Sequence, residues 1–311
     1  MEPIQASLKR WMRESRNFKH HYENMRQAIL QDAHIKKLLQ QHPQLTEQEV
    51  ERHLIKFYEY QSQAKSCEGC PSIEACRNLV PGYTPSLQIE GKTVRLTYEM
   101  CPTKRKHQEQ VEKRSFISSL YMPKDILEAK FKDLEPDDRY EAIRLAMNYT
   151  ENVETDKAQK GLYFYGRFGV GKTHILGAMA NKLANKRISS YLIYMPEFVR
   201  EMKSSIQDNS LNEKIEKFKT AQVLMLDDIG AESMSPWFRD EVLGSILQYR
   251  MMERLPVFFT SNYSLEDLEK HLMVNNRGEI EQLKAGRIIE RIRAVSTPVE
   301  VIGQNRRTMG K

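Results

Sequence analysis

"GLYFYGRFGVGKTHILGAMANKLANK" occupies residues 161–186. It opens on an apolar, aromatic run, Leu162 to Tyr165, which reads as a strand buried on both faces. It closes on a stretch with helical spacing. Between the two, Gly166, Gly169 and Gly171 are followed at once by Lys172 and Thr173. Gly166, Gly171, Lys172 and Thr173 satisfy G-x-x-x-x-G-K-[ST], in the strand-before, helix-after setting that the pattern requires. The chemistry follows from the residue types. Glycines let backbone N–H groups turn inward around phosphate oxygens, and the helix beginning near Lys172 adds its positive end. Lys172 supplies a charge for the β- and γ-phosphates, and the Thr173 hydroxyl a ligand for Mg²⁺. The stretch predicts an ATP and Mg²⁺ site on an α/β fold.

A phosphate loop needs a metal-orienting carboxylate on a neighbouring strand. "VLMLDD" at 223–228 provides it. Asp227 ends the strand, at the rim where such sites form, and is expected to hold Mg²⁺ through water. Asp228 is expected to polarise the attacking water. A further strand, "VFFTS" at 257–261, runs into Asn262, whose amide can position that water beside the γ-phosphate. "SYLIYM" (190–195) and "VEVI" (299–302) complete the strand candidates. Helix starts separate them: Pro196 at a first helical position, Ser235 before Pro236, and Ser264 with Asp267 as a capping pair. Strands alternating with helices predict a parallel sheet covered on both faces.

Upstream, the character changes. Residues 1–65 read as helices, with Thr46 and Glu49 as a capping box and Val50, Leu54, Phe57, Tyr58 and Gln61 along one face. All four cysteines, Cys67, Cys70, Cys76 and Cys101, lie in the next stretch, and no histidine falls between the first and the last. In a reducing compartment such clustering favours a Cys₄ zinc staple over disulfides. The rival readings are buried free thiols or a redox C-x-x-C pair. The latter wants a thioredoxin-like setting that this stretch lacks. "SLQIE" and "TVRLTYEM" read as a hairpin around Gly91. "PTKRKHQEQVEKR" (102–114) is strongly basic and reads as a solvated linker or helix face, with a nucleic-acid patch the lesser reading.

The totals set bounds. The chain has 311 residues, enough for two domains, with a net charge of +6. The division expected is a helical, zinc-binding domain at 1–103, a basic linker at 104–115 and an ATPase domain at 116–311. The opening "MEPIQASLKRWMRESRNFKH" lacks the apolar core of a signal peptide, and no window has the apolar length of a membrane span. The expected location is the cytoplasm.

The set at 166–173, 223–228 and 262 resembles the AAA+ ATPases. The resemblance implies a P-loop core whose sensor strand lies between the two Walker strands. It also implies a finger role for Arg291, in "AGRIIERIRAV", toward a neighbouring subunit's γ-phosphate, with Arg287 a lesser candidate. Arg307 would be a sensor-type contact in cis. Little chain follows "VEVIG", so no helical lid is expected. Asp228 stands where most of that family carry Glu; the shorter carboxylate implies slow hydrolysis. In domain order, and in "YGRFGVGKT", "MPEFVREMK" and "VLMLDDIGAESMSPWFRDEV", the chain is similar to bacterial replicative helicase loaders of the DnaI type. That resemblance implies an N-terminal domain binding the ring-shaped replicative helicase. It implies an ATPase domain that binds single-stranded DNA and self-associates with ATP. Together they would act in replication initiation or restart. By likeness to the DnaC-type loaders, Lys203, Ser235 and Trp237 fall near positions that face DNA, where an ammonium, a hydroxyl and an indole suit phosphate and base. Two other readings are a transposase-partner ATPase of the IstB type and a zinc-dependent DNA-binding regulator with a structural ATP site.

Overall fold

The computed structural model describes residues 16–67, 70, 72–135, 137–153, 159–232, 234–274 and 280–309; the helices expected in residues 1–15 lie outside them. The chain forms two compact units, Met1–Gln110 and Val111–Lys311.

In the first unit, α1 (Arg16–Gln31) and α2 (Ala33–Gln41) meet at Asp32, whose carboxylate accepts from the N–H groups of His34 and Ile35 at 2.9 and 3.1 Å. The next expected helix is broken at His53 into α3 (Glu47–Arg52) and α4 (Leu54–Ser62). The capping box expected there does not form. Thr46 makes no side-chain cap, and Glu49 is buried and paired instead with Arg52 at 3.3 Å and Lys92 at 3.9 Å. Opposite charge has outcompeted the local backbone contact. Ile29, Ile35, Val50, Leu54 and Phe57 share one core with Val94 of the hairpin, while Tyr58 lies 48% exposed, outside the expected stripe. The hairpin, β1 (Tyr83–Glu90) and β2 (Thr93–Met100), is antiparallel and closes with Glu90 opposite Thr93. The basic run, expected as a solvated linker or helix face, is a helix, α5 (Pro102–Ser115), with no buried residue. Its composition of Lys, Arg, Gln and Glu is helix-forming without any apolar stripe.

The second unit runs β3 (Ile117–Leu120), α6 (Lys124–Glu128), α7 (Tyr140–Asn152), β4 (Gly161–Tyr165) and α8 (Lys172–Asn185). It continues β5 (Ser190–Tyr194), α9 (Met195–Ser204), α10 (Leu211–Thr220) and β6 (Val223–Asp227). A π-helix at Phe238–Leu243 leads into α11 (Gly244–Met252), then come β7 (Val257–Ser261), α12 (Leu265–Met273), α13 (Gln282–Val295), β8 (Ser296–Glu300) and the short α14 (Arg306–Met309). The sheet has six strands in the order β3-β5-β6-β7-β4-β8, all pairs parallel. The last strand starts at Ser296, directly after α13, three residues ahead of the expected "VEVI". The edge strand β3, "ISSL", is short and half polar, so no apolar run marks it.

Side-chain alternation splits this sheet between two cores. Tyr163, Ile193, Leu224, Leu226, Val257 and Phe259 face one, packed against α9–α13. Leu162, Phe164, Leu192, Val223, Met225 and Phe258 face the other, packed against α7 and α8. One buried cation pins the strand entries. Arg250, fully buried, donates to the carbonyls of Phe218 (3.1 Å), Lys219 (3.0 Å), Ala221 (2.7 Å), Gln222 (3.4 Å) and Pro256 (2.7 Å). It ties the end of α10 to the starts of β6 and β7; these bonds offset its desolvation. Ser264 caps α12 as expected, accepting from the Asp267 N–H at 3.2 Å. Among the described residues no helix is long and apolar enough to cross a membrane.

Candidate nucleotide site

The rim at the C-terminal ends of β6, β7 and β4 carries the site. Gly171, at φ +91°, is the left-handed residue that starts α8. A side chain there would also strike the Arg139 guanidinium, 2.5 Å from the place of a Cβ. The turn aims Lys172 inward, where it is 7% exposed. Its ammonium donates to the carbonyls of Gly166 (2.8 Å) and Arg167 (2.9 Å) and to Asn262 Oδ1 (2.9 Å). Burial lowers its pKa to about 8, against the pull of Asp228 and Asp227.

Asn262 is held at its other end. Its Nδ2 donates to Asp228 Oδ1 at 2.9 Å. Strand β7 lies between β6 and β4, so Asn262 bridges the phosphate-loop lysine and the second acid of "LDD". Thr260, two residues before Asn262 and within β7, links both acids. Its hydroxyl donates to Asp227 Oδ1 at 2.6 Å and accepts from the Asp228 N–H at 2.8 Å. Asp227 is 5% exposed, and burial raises its pKa to about 6 even though the Thr260 and Thr173 hydroxyls both bond its carboxylate. The Thr173–Asp227 contact puts the two expected Mg²⁺ groups together. Asp228 sits at φ +62°, a left-handed conformation rare outside glycine. Burial raises its pKa, with Lys172 and the Asn262 hydrogen bond opposing.

Arg307, exposed beyond β8, is near enough to lower the Lys172 pKa and to favour the Asp228 anion. Arg291 belongs to a different neighbourhood. It lies half-buried on α13 and donates from Nη1 to Gly244 O at 2.9 Å, at the junction of the π-helix and α11. Arg287 is exposed on the same helix. Lys203 is exposed on α9. Ser235 accepts from the Phe238 N–H at 3.3 Å, and Trp237 packs against the larger core, so both already have local roles.

Sequence reasoning missed Thr260, Arg139 and Glu232. Thr260 left a signal: a hydroxyl inside an otherwise apolar strand two residues before Asn262. Glu232 is buried, accepts from the Gly230 N–H at 3.0 Å, and has its pKa raised to about 7 by burial. Arg139, buried and donating to Val170 O at 3.1 Å, carried no motif.

In the first unit the thiols are partly organised. The Cys70 N–H donates to Cys67 O at 3.1 Å, closing the C-x-x-C turn, and Cys67 is hydrogen-bonded to Cys101. The Gly82 and Lys104 N–H groups donate to the sulfurs of Cys76 and Cys101, each at 3.4 Å. Among the described residues no group of three or more Cys, His, Asp or Glu is close enough to hold a metal.

Comparison with known proteins agrees in both units. Residues 1–98 match the family model of the primosomal protein DnaI N-terminus, and residues 140–275 that of the bacterial DnaA ATPase domain. The replicative helicase loader DnaI of Bacillus subtilis is 42% identical over 99% of this chain and 99% of its own. A crystal structure of DnaI superposes with a TM-score of 0.56 at 47% identity, covering 63% of this chain and 99% of that one. The chromosomal replication initiator DnaA of Buchnera aphidicola is 27% identical over 47% of this chain and 31% of its own.

The two shifted groups set a pH window. Asp227 is anionic above about 6 and Lys172 cationic below about 8. Magnesium-nucleotide affinity should therefore be greatest between those values, falling toward acid as Asp227 gains a proton and toward base as Lys172 loses one. Calorimetric titration across this range checks it. In Asp227→Asn the acid limb should flatten, because only the nucleotide's own phosphate still titrates there; an unchanged acid limb contradicts the assignment.

Proposed function

The chain belongs to the DnaI family of replicative helicase loaders, and from this we propose that it delivers a ring-shaped replicative helicase onto single-stranded DNA with the use of ATP. The observation that carries the reading is the part-buried hydrogen-bonded chain Lys172–Asn262–Asp228. It sets a cation, a polar amide and a carboxylate in line at the rim of a parallel sheet, as phosphoryl transfer to water needs. A match over nearly the full length to a helicase loader disfavours the transposase-partner and regulator readings.

Each residue then has a task. The Lys172 ammonium exchanges its loop carbonyls for phosphate oxygens. Gly166, Gly169 and Gly171 keep the loop narrow enough for backbone N–H groups to reach them. Asp227 and Thr173 orient Mg²⁺, which neutralises phosphate charge when bound. Asn262 holds a water and Asp228 draws its proton. Partial burial raises the pKa of its carboxyl, while Lys172 and Asn262 hold it back, and the short side chain suits slow turnover. Arg307 contacts the nucleotide of its own subunit. Lys203, Ser235 and Trp237 lie toward DNA, Lys203 being the freest to engage a phosphate. The Met1–Gln110 unit contacts the helicase. The decisive experiment is a pull-down with purified helicase. A fragment ending near Arg114 should capture it without binding ATP, and one starting near Phe116 should bind ATP and single-stranded DNA. The reverse pattern would exchange the two roles.

Zinc is proposed for Cys67, Cys70, Cys76 and Cys101 on the chemistry of four thiolate donors in one segment, which would have to draw closer around the metal than they stand here. The sulfurs of Cys76 and Cys101 already receive backbone N–H groups, the outer contacts that steady metal thiolates. The metal would staple the hairpin to the C-x-x-C turn and do no chemistry. Elemental analysis should find about one zinc per chain. Its absence, with all four thiols titrating freely, rejects the staple.

Arg291 is proposed as the finger for a neighbouring subunit. Arg291→Ala should leave ATP binding by an isolated chain nearly unchanged and lower hydrolysis in the assembled state by about 10³ or more. Mixed with Lys172→Ala, it should regain activity that neither variant has alone, since one composite site per pair is intact. An inactive mixture, or loss of ATP binding by Arg291→Ala itself, returns Arg291 to its helix contact with Gly244.

A further inference from the structure

Beyond β8 the chain does not leave the nucleotide site. It runs back across it. The Val301 N–H donates to Tyr165 O at 2.7 Å, and the Arg306 N–H to Gly169 O at 3.0 Å. The segment is thus tied by backbone to the strand before the phosphate loop and to the loop's own tip. The approach is close: a Cβ on Gly169 would lie 1.9 Å from the Asn305 amide oxygen.

A second set of contacts holds the same segment from the other side. The Arg306 guanidinium pairs with both Glu135 and Asp137, in the turn that leads into α7. That turn also carries Arg139, which donates to Val170 O at 3.1 Å and to Glu135 O. Gly303 lies over the Arg139 stem, 3.3 Å from Cγ to the place of a Cβ. The phosphate loop is therefore bracketed by the turn at 135–139 and the segment at 301–307. The next side chain, Arg307, makes no ion pair among the described contacts and acts electrostatically on Lys172 and Asp228.

We propose that residues 301–307 form a strap over the phosphate loop, latched by Arg306 to Glu135 and Asp137, and that the latch holds Arg307 at the phosphates of a bound nucleotide. The proposal rests on the ATP reading of the site given above. Arg306 is a positioning residue; Arg307 is the one that meets the ligand. One planar guanidinium forking to two carboxylates fixes direction as well as distance, which a lysine would not do. The side chains of Glu135 and Asp137 are 73% and 63% exposed. Ion pairs so open to water are weak. Such a latch opens readily to admit a nucleotide and closes over it, while the two backbone bonds limit how far the strap can travel.

The test is calorimetric titration of the full-length chain with magnesium-ATP. Arg306→Ala should raise Kd by roughly threefold to tenfold, the scale of one or two solvent-exposed ion pairs. Arg306→Lys should fall between it and wild type. Arg307→Ala should lose as much, and the double variant should be no weaker than Arg307→Ala alone, because Arg306 acts only through its neighbour. Glu135→Gln with Asp137→Asn opens the latch from the other side and leaves both arginines in place. Simple charge repulsion predicts tighter binding of an anion there, whereas the strap predicts weaker binding. An unchanged Kd in Arg306→Ala, tighter binding by the double acid variant, or losses that multiply between Arg306 and Arg307 each overturn the strap. Lys172→Ala separates the two levels. If wild type binds and Lys172→Ala does not, a null result at Arg306 overturns the strap alone. If wild type fails to bind ATP, the ATP reading and the strap fall together.

Discussion

An ammonium with 7% exposure has to be satisfied, and the second unit is organised around doing so for Lys172. An unpaired charge in that position would be strongly destabilising. Two of its three partners are carbonyls of its own loop, which any phosphate loop could supply. The third, Asn262, comes from a strand ninety residues away and reaches Lys172 only because β7 is inserted between β4 and β6. The strand order is thereby tied to one hydrogen bond. Place β6 beside β4, and the lysine loses its amide while Asp228 loses the group that restrains it.

The acid that ends β6 and the one just beyond it are both held by the same strand. Thr260 donates to Asp227 and accepts from the backbone of Asp228. One hydroxyl thus fixes the first carboxylate and the turn that carries the second. Asp228 then leaves the sheet in a left-handed conformation, which points its carboxylate toward Asn262 rather than along the strand. Polar groups this buried are tolerable because nearly every one has a partner. Below the rim, alternating side chains fill two apolar cores, and Arg250 fastens the opposite ends of β6 and β7 through five carbonyls. The rim is polar and ordered because the strands beneath it cannot slide.

Much of this was legible in the sequence. The phosphate loop, the acids of "LDD" and Asn262 are local patterns at strand ends, and strand ends are where periodicity breaks. What stayed hidden was hidden for physical reasons. The edge strand β3 is short and polar because it has one neighbour and one solvent side. The start of β8 was missed because Ser296, Thr297 and Pro298 carry no apolar run, although they pair with β4 from Gly161 onward. Thr46 looked like a cap, but Glu49 found cations elsewhere in the unit. Arg139 and Arg306 left no motif, since each gains meaning only from another segment: Arg139 from Val170, 31 residues on, and Arg306 from Glu135, 171 residues back.

The arrangement of arginines bears on why a loader would hydrolyse ATP slowly. Within one chain, Lys172 and Arg307 are cations that favour the Asp228 anion. Arg291 is engaged with Gly244, at the end of a π-helix that begins just after Trp237. A cation parked on a helix carbonyl does not stabilise charge developing on a phosphoryl group, so in the proposed mechanism a lone subunit can bind ATP without the means to turn it over. Assembly with a second copy would supply the missing charge, and the short Asp228 carboxylate would still keep the step slow. Binding would then outlast hydrolysis, and the ATP-bound form would persist for as long as a ring takes to be placed on a strand.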